Sequence, residues 1–195
     1  MKCTLVSIDL AKNVFQICGF DSERKVLFNK KVKRSNLIHQ LVQIEPTRVV
    51  MEACYSSNPW ARRIKKLNHE VVLIPPFMVK PSVIGNKNDC NDALAIGEAA
   101  FRHKIRFVVP KSVEQQDIQS LHKVKDLLNK TKRALLNQMR GLLAEYGLVF
   151  PKTIPALLKA IPDVLEDADN ELTSITRKFI QRLYDTATDL MQQAQ

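Results

Sequence analysis

Residues 4–32, with the sequence TLVSIDLAKNVFQICGFDSERKVLFNKKV, contain three short runs that are rich in apolar and β-branched residues. The runs cover residues 4–9, 14–20 and 26–32, and a turn-forming Asp-Ser pair separates the second run from the third. Runs of this length between turn residues are typical of strands. The stretch therefore predicts an antiparallel meander of three strands.

A helix and a strand-helix-strand unit are predicted after the meander. Residues 34–44 place apolar side chains at helical spacing. Two strand-like runs at 48–52 and 71–74 enclose a helical stretch at about 59–67. Strand, helix and strand in this order imply a parallel pair joined by a crossover. With a further helix that begins near Asp89, the first hundred residues predict an α/β domain with a mixed sheet.

Beyond Pro110 the strand signals end and a long helix is predicted. Leucines recur every seven residues there, at Leu121, Leu128, Leu135 and Leu142. A seven-residue repeat is typical of a coiled coil, but Thr131 and Gln138 occupy the companion apolar positions. An intramolecular bundle helix and a dimer-forming coiled coil therefore both remain open. The chain ends at Gln195 without a helix stop signal, so we expect further protein after it.

The composition favours a protein that binds a polyanion. Lysine and arginine number 30 against 20 aspartates and glutamates, which gives a net charge of +10 and favours nucleic acid as a partner. The 4 cysteines have neither CxxC spacing nor a close histidine, so a zinc site and a disulfide framework are not indicated. The chain has no signal-peptide stretch and no apolar run of about 18 residues. We therefore expect a soluble, cytoplasmic protein that does not enter a membrane.

Two acidic residues stand at the ends of predicted strands. Asp9 ends the first run and Glu52 ends the run at 48–52. A carboxylate in such a place is costly unless it meets water, a partner or a metal ion. Either residue alone is explained as well by exposure to solvent as by function. Finding both at the same kind of position favours a shared site.

Asp89 and Asp92 form a second acidic pair, three residues apart at the start of a predicted helix. They can point to one face of that helix, although Asp89 as a helix cap and Asp92 as a favourable first-turn charge would explain the same spacing. Four carboxylates brought together repel one another unless cations neutralise them. Oxygen-only ligands favour Mg²⁺ or Mn²⁺, and two such ions can promote phosphodiester cleavage.

Five segments resemble the motifs of the DEDD insertion-sequence transposases, the "one-ten" family and especially its "eleven-eleven" subgroup. Three of them contain the four acids in order, and the other two lie in the predicted long helix. The segments are residues 7–12, 51–54, 85–93, 114–117 and 137–143. The resemblance extends from one end of the chain to the other.

The resemblance implies a ribonuclease-H-like domain similar to the RuvC Holliday-junction resolvases. Asp9, Glu52, Asp89 and Asp92 would occupy its four metal-binding positions and would hold two Mg²⁺ or Mn²⁺ ions. Lys87 would contact a phosphate, although a solvated loop lysine is an equal alternative. The family also implies a noncoding bridge RNA as guide and a later domain with a serine nucleophile, which is absent from this chain.

We therefore expect a RuvC-like catalytic domain at residues 1–108 and a helical, coiled-coil-like region at residues 109–195 for dimerisation and nucleic-acid binding. The expected assembly is a homo-oligomer, a dimer or larger. Basic side chains on two predicted helices are candidates for nucleic-acid binding, although each one alone is explained by a solvated helix face. They are Arg62, Arg63, Lys123, Lys125, Lys130, Lys132, Arg133 and Arg140.

The predicted function is that of a transposase, a site-specific DNA recombinase that cleaves and exchanges strands with metal ions and guide RNA. One alternative is a nuclease of the Holliday-junction resolvase type, which needs no serine. Another is a truncated, non-catalytic fragment that binds nucleic acid or dimerises. This last alternative predicts binding that survives the loss of all four acids.

Overall fold

A computed structural model describes residues 2–83 and 88–193 of the chain. The chain divides into two compact units, Met1–Gln115 and Gln116–Gln195. The first unit contains the sheet, and the second is helical. No helix in the described part combines the length and apolar character needed to cross a membrane.

The first unit contains a five-stranded mixed sheet in the order β3-β2-β1-β4-β5. β2 pairs with β1 and β3 in antiparallel fashion, whereas β4 pairs with β1 and β5 in parallel fashion. This topology confirms the predicted ribonuclease-H-like mixed sheet. The strands are β1 Leu5–Asp9, β2 Val14–Phe20, β3 Val26–Lys33, β4 Arg48–Glu52 and β5 Glu70–Ile74.

Helices connect the strands and then form the rest of the chain. Short 3₁₀ helices precede α1, at Arg34–Asn36, and follow α3, at Lys80–Ser82. The helices of the first unit are α1 Leu37–Val42, α2 Ser57–Lys65, α3 Pro76–Val79 and α4 Asp89–Ala100. They are followed by α5 Val113–Glu145, α6 Ile154–Glu166 and α7 Ser174–Gln193.

Two apolar layers lie on opposite sides of the sheet, because alternate residues of a strand face opposite sides. On one side Val6, Ile8 and Phe15 pack against α1 and α2. On the other side Leu5 and Phe20 pack against α4.

Gly97 allows α4 to lie close to the sheet. A Cβ atom at this position would overlap the Phe20 ring and would stand 3.1 Å from Ser7 Oγ. The absence of a side chain therefore sets the height of α4 above β1 and β2.

The second unit buries the carboxyl-terminal half of α5. Leu136, Met139 and Leu143 are buried there together with Leu157 of α6 and Ile180 of α7. The amino-terminal half of the same helix leaves a row of large apolar side chains exposed, with 55–70% of their surface accessible. These are Ile118, Leu121, Val124 and Leu127.

Candidate active site

Asp9 and Glu52 lie at the same end of the sheet, where two inner strands finish. They are the last residues of β1 and β4, which are adjacent parallel strands with Ile8 opposite Met51. Leu5 of β1 and Val50 of β4 face α4. Asp9 and Glu52 stand an even number of residues further along the same strands, so their side chains lie on that face too. Both carboxylates are half-buried. The sheet thus brings the two predicted strand-end acids side by side, under the start of α4.

The other two acids lie in the first turn of α4. Asn88 is the residue that caps this helix, since its Oδ1 accepts a hydrogen bond from Asn91 N at 2.9 Å. The alternative interpretation of Asp89 as the cap was therefore wrong.

The start of α4 is fixed to β1 by a buried hydrogen bond. Ser7 Oγ donates to the Ala93 carbonyl at 2.6 Å. Ser7 stands two residues before Asp9, and Ala93 directly follows Asp92. The bond therefore ties the strand that carries one acid to the helix turn that carries another.

Three of the acids line one cavity. Asp9, Glu52 and Asp92 surround a volume of about 310 Å³, together with Lys80 and Val79. Asp89 is exposed, and its Oδ2 lies 3.4 Å from Lys31 Nζ of β3. The structure therefore gathers the acids around one cavity, with Asp89 on the turn above it.

The local field of this site is negative although the chain is basic. Burial, together with the charges of Asp92, Asp89 and Glu52, raises the pKa of Asp9 to about 6. A hydrogen bond from the backbone at Leu10 acts in the opposite direction and is outweighed. The carboxylates thus store mutual repulsion at neutral pH, which a bound cation would relieve.

The carboxylates do not form a closed coordination shell by themselves. Within residues 2–83 and 88–193, no three histidine, cysteine, aspartate or glutamate side chains are grouped closely enough to hold a metal ion.

Lys80 and Gln16 are site residues that the sequence did not reveal. Lys80 lines the cavity because α3 and the 3₁₀ helix after it fold across the strand ends. Gln16 of β2 is paired with Asp9 in the sheet and is 4% exposed. The Pro75-Pro76 pair after β5 signalled a turn, but no local pattern signals that the following lysine returns to the acids.

Gln16 connects the sheet to the start of α4. Its Nε2 donates to Asn29 Oδ1 at 2.6 Å, and Asn29 Nδ2 donates to the Cys90 carbonyl at 3.1 Å. The Gln16 Oε1 atom is buried without a hydrogen-bond partner among the described residues. An acceptor beside Asp9 therefore remains available to a proton donor.

The remaining predicted residues have different surroundings. Lys87 lies outside the described residues. Arg62 Nη1 donates to the Lys111 carbonyl at 2.9 Å, and Arg140 Nη2 donates to the carbonyls of Lys152 and Thr153 at 2.8 and 3.1 Å. Both arginines thus support neighbouring backbone. Lys132 is half-buried. The remaining five basic residues are exposed: Arg63, Lys123, Lys125, Lys130 and Arg133.

Comparison with known proteins assigns a family. The profile of the DEDD transposases of the IS110 type, described as "Transposase", matches residues 6–148. The chain belongs to this family of transposases. The resemblance found in the sequence motifs is thereby confirmed.

Curated transposases are similar over most of this transposase chain. It is 42% identical to the transposase for insertion sequence element IS1111A of Coxiella burnetii, over 92% of this chain and 50% of that protein. It is 38% identical to the transposase for element IS1328 of Yersinia enterocolitica, over 93% of this chain and 53% of that protein. The chain spans about half the length of these curated relatives.

Among solved structures, one match is T. thermophilus RuvC in complex with a Holliday junction substrate. It covers 53% of this transposase chain and 98% of the RuvC chain, with 13% sequence identity and a TM-score of 0.37.

Proposed function

We propose that this chain provides the metal-dependent DNA-cleavage site of an insertion-sequence transposase, with Asp9, Glu52, Asp89 and Asp92 as its metal ligands. The proposal is carried by one observation: acids from two strands and one helix meet at a single cavity in which the pKa of Asp9 is raised to about 6. A cation paired with Asp9 itself would have lowered the pKa of this carboxyl instead of leaving it raised.

The donor set fits hard divalent cations. All four proposed ligands are carboxylates, which suit Mg²⁺ or Mn²⁺ better than zinc. Two ions held by these carboxylates would supply activation of the attacking oxygen and stabilisation of the leaving oxygen of a phosphodiester. The half-buried cavity limits access of water to Asp9 and Glu52, and Ser7 fixes the helix turn that presents Asp92.

Lys80 is proposed to contact the DNA phosphate at this cavity. Lys80 is exposed, and the other charged side chains that line this cavity are carboxylates. An ammonium group is a compact point charge that suits a phosphate oxygen. Lys80 would thus orient the backbone over the acids without neutralising them.

The helical region is proposed to join two copies of the chain and to contact a noncoding guide RNA in the cytoplasm. The exposed row Ile118, Leu121, Val124 and Leu127 supports the first role, because large exposed apolar rows mark interaction surfaces. Exposed Lys123, Lys125, Lys130 and Arg133 support the second role. The domain division at residues 108 and 109 stays part of this proposal.

A second candidate function is nucleic-acid binding without cleavage. It is favoured by the many exposed cations of α5, which need no contribution from the acids to attract a polyanion. The two candidates differ in whether the four acids matter for anything beyond folding.

The experiment is a metal titration of thermal stability for the wild type, Asp9→Asn and Glu52→Gln. A ligand at about 100 times its dissociation constant adds roughly 2.7 kcal/mol to the folded state. We expect Mn²⁺ and Mg²⁺ to stabilise the wild type and to leave both variants unchanged.

The control is Glu23→Gln, which removes an exposed carboxylate at the turn between β2 and β3. This variant should respond to metal as the wild type does. An equal response of all four proteins, or none, would remove the metal site from the proposal and favour binding without cleavage.

A further inference from the structure

Three segments of the first unit contain lysines and arginines but no acidic residues. Residues 10–20, 26–44 and 53–69 contain no aspartate or glutamate. They form β2, β3, α1, α2 and the turns at their ends. Their cationic residues are Lys12, Lys30, Lys31, Lys33, Arg34, Arg62, Arg63, Lys65 and Lys66. The surface built by these segments therefore attracts a polyanion.

Two of these cations are held on one aromatic side chain. Arg34 Cζ lies 5.3 Å from the centre of the Trp60 ring, and Arg63 Cζ lies 5.0 Å from the same ring. Arg34 is further held by the Phe15 ring at 5.5 Å and by a hydrogen bond from Nη1 to the Lys12 carbonyl at 3.2 Å. Stacking on aromatic rings orients a guanidinium before any ligand arrives.

The two guanidinium groups keep their charge available. The ion pairs found in the described part of the chain are Lys2–Glu45, Lys31–Asp89 and Arg48–Glu70. Arg34 and Arg63 take part in none of them, and both are exposed. Trp60 itself is only 3% exposed, so a nucleic-acid base has no ring face on which to stack. This arrangement suits the phosphate backbone and not the bases.

Arg34 stands at the same end of the sheet as the acids. Asp9 is paired with Gln16, and Gln16 with Lys31, while Arg34 N donates to the Asn13 carbonyl just beyond β2. Two strand spacings and three residues of extended chain place the backbone of Arg34 on the order of 15 Å from that of Asp9. That distance corresponds to the rise of roughly four base pairs along the axis of duplex DNA. The Arg34 side chain lies with Phe15 and Trp60 on the α1 and α2 side of the sheet, whereas Asp9 lies on the α4 side.

We propose that Arg34 and Arg63, oriented on Trp60, bind the phosphate backbone of double-stranded DNA next to the strand that enters the acid cavity. This inference rests on the proposed function and names a second contact surface for its substrate. The contact is independent of base sequence and of metal, because it consists of two fixed guanidinium charges.

The test uses Trp60, the single tryptophan of the chain, as a local reporter. A duplex DNA of about 30 base pairs, long enough to reach both the cavity and the arginine pair at about 3.4 Å per base pair, is titrated in EDTA at several salt concentrations. Trp60 fluorescence and an independent binding signal from labelled DNA are recorded together. We expect wild-type Trp60 fluorescence to change along the same curve as binding, because DNA displaces or tightens the guanidinium groups over the ring.

The double variant Arg34→Gln with Arg63→Gln should lose both the fluorescence change and part of the salt dependence. Each lost phosphate contact lowers the slope of log K against log salt by about 0.9, so the slope should fall by about 2. The same relation gives a loss of affinity of roughly thirtyfold at about 0.15 M salt. The Arg34→Lys, Arg63→Lys double variant keeps both charges and should keep most of the slope.

The matched control removes two exposed charges at the opposite end of the sheet, by Lys25→Gln with Lys104→Gln. This control should keep the Trp60 signal and most of the affinity. The proposal is overturned if the wild type binds DNA without a change in Trp60 fluorescence, if it does not bind duplex DNA, or if the two glutamine double variants lose equal slope. It is also overturned if duplex RNA, and not duplex DNA, gives the Trp60 signal and its loss.

Failure of the arginine surface and failure of the acid site remain distinguishable. The DNA titration is carried out without metal, whereas the acid site is tested by metal-dependent stability. Asp9→Asn should bind duplex DNA with the wild-type Trp60 response. A metal response without the Trp60 response would retain the acid site and reject the arginine surface.

Discussion

Replacing Asp9 by asparagine should stabilise the metal-free protein at neutral pH. The folded protein raises the pKa of this carboxyl from its ordinary value of 3.8 to about 6, mainly by burial and secondarily by the neighbouring acids. Each tenfold change in proton affinity is worth about 1.4 kcal/mol, so the full rise corresponds to about 3 kcal/mol. Asp9 is only half-buried, and solvent screening reduces the expected gain to roughly 1–2 kcal/mol.

The sign of the pH dependence follows from the raised pKa. Because the folded state binds the proton more tightly than the unfolded state, the proton on Asp9 stabilises the fold below pH 3.8. This contribution is lost as the pH rises through about 6. The asparagine side chain of the variant does not ionise, so the free-energy difference between variant and wild type should grow between pH 4 and pH 7 and then level off.

Urea unfolding in EDTA, followed by Trp60 fluorescence, measures this difference in the first unit. Glu23→Gln serves as the control, since it removes an exposed carboxylate far from the cavity. We expect Asp9→Asn to be more stable than the wild type at pH 8 and nearly equal to it at pH 4. A difference that is the same at both pH values, or a wild type that gains stability over the variant as the pH rises, would refute the argument from buried, repelling carboxylates.

Four further predictions concern packing, the metal response and assembly. Gly97→Ala should destabilise the fold by about 1–3 kcal/mol, because the added methyl group overpacks against the sheet. At Gly141 an added Cβ would contact no neighbouring atom, so Gly141→Ala should stabilise α5 by about 0.5–1 kcal/mol. Thermal or urea unfolding measures both changes. Ser7→Ala should cost about 1 kcal/mol by removing the hydrogen bond between strand β1 and the Ala93 carbonyl, and it should weaken the stabilisation by Mn²⁺. An unchanged metal response would show that this bond does not position the site. Leu121→Glu should shift the chain toward the monomer in sedimentation, because it charges a 70% exposed leucine in the apolar row of α5; an unchanged mass would exclude this row from the assembly.

The strands and the strand-end acids were predictable because short apolar runs determine both where a strand lies and where it ends. Asp9 and Glu52 close such runs, and parallel pairing of β1 with β4 places them side by side. The start of α4 near Asp89 was also predicted from the sequence. Its cap was not, because Asn88 and Asp89 are both good caps and only the backbone geometry decides between them.

Contacts between distant segments were beyond the reach of local patterns. Lys80 joins the cavity only because α3 turns back across the strand ends. Ser7 looks like an ordinary strand residue until α4 is placed above it, 86 positions later in the chain. Arg34 was likewise missed, because its partner Trp60 comes from another element.

The seven-residue leucine repeat illustrates a different limit. Leu135 and Leu142 pack within the helical unit, whereas Leu121 in the same repeat is 70% exposed. From the sequence, α5 could be a bundle helix or a coiled coil. Its carboxyl-terminal half is packed as a bundle helix, whereas its amino-terminal half leaves its apolar side chains exposed. A repeat specifies which side of a helix is apolar, but it does not specify which part of that side the same chain covers.

The segregation of charge in the first unit connects the proposed site with the proposed DNA surface. Four of its acids lie in or next to the cavity, where the pKa of Asp9 is raised despite a net charge of +10 on the chain. Nine of its cations lie in segments that contain no acid, and two of these, Arg34 and Arg63, are exposed. Had these arginines paired with the cavity carboxylates, they would have lowered the pKa of Asp9 and competed with any divalent ion for the same oxygens. Apart from the Lys31–Asp89 ion pair and Lys80 at the cavity, the two charge types lie apart, so that one surface can attract a polyanion while the other can serve as the proposed cation site.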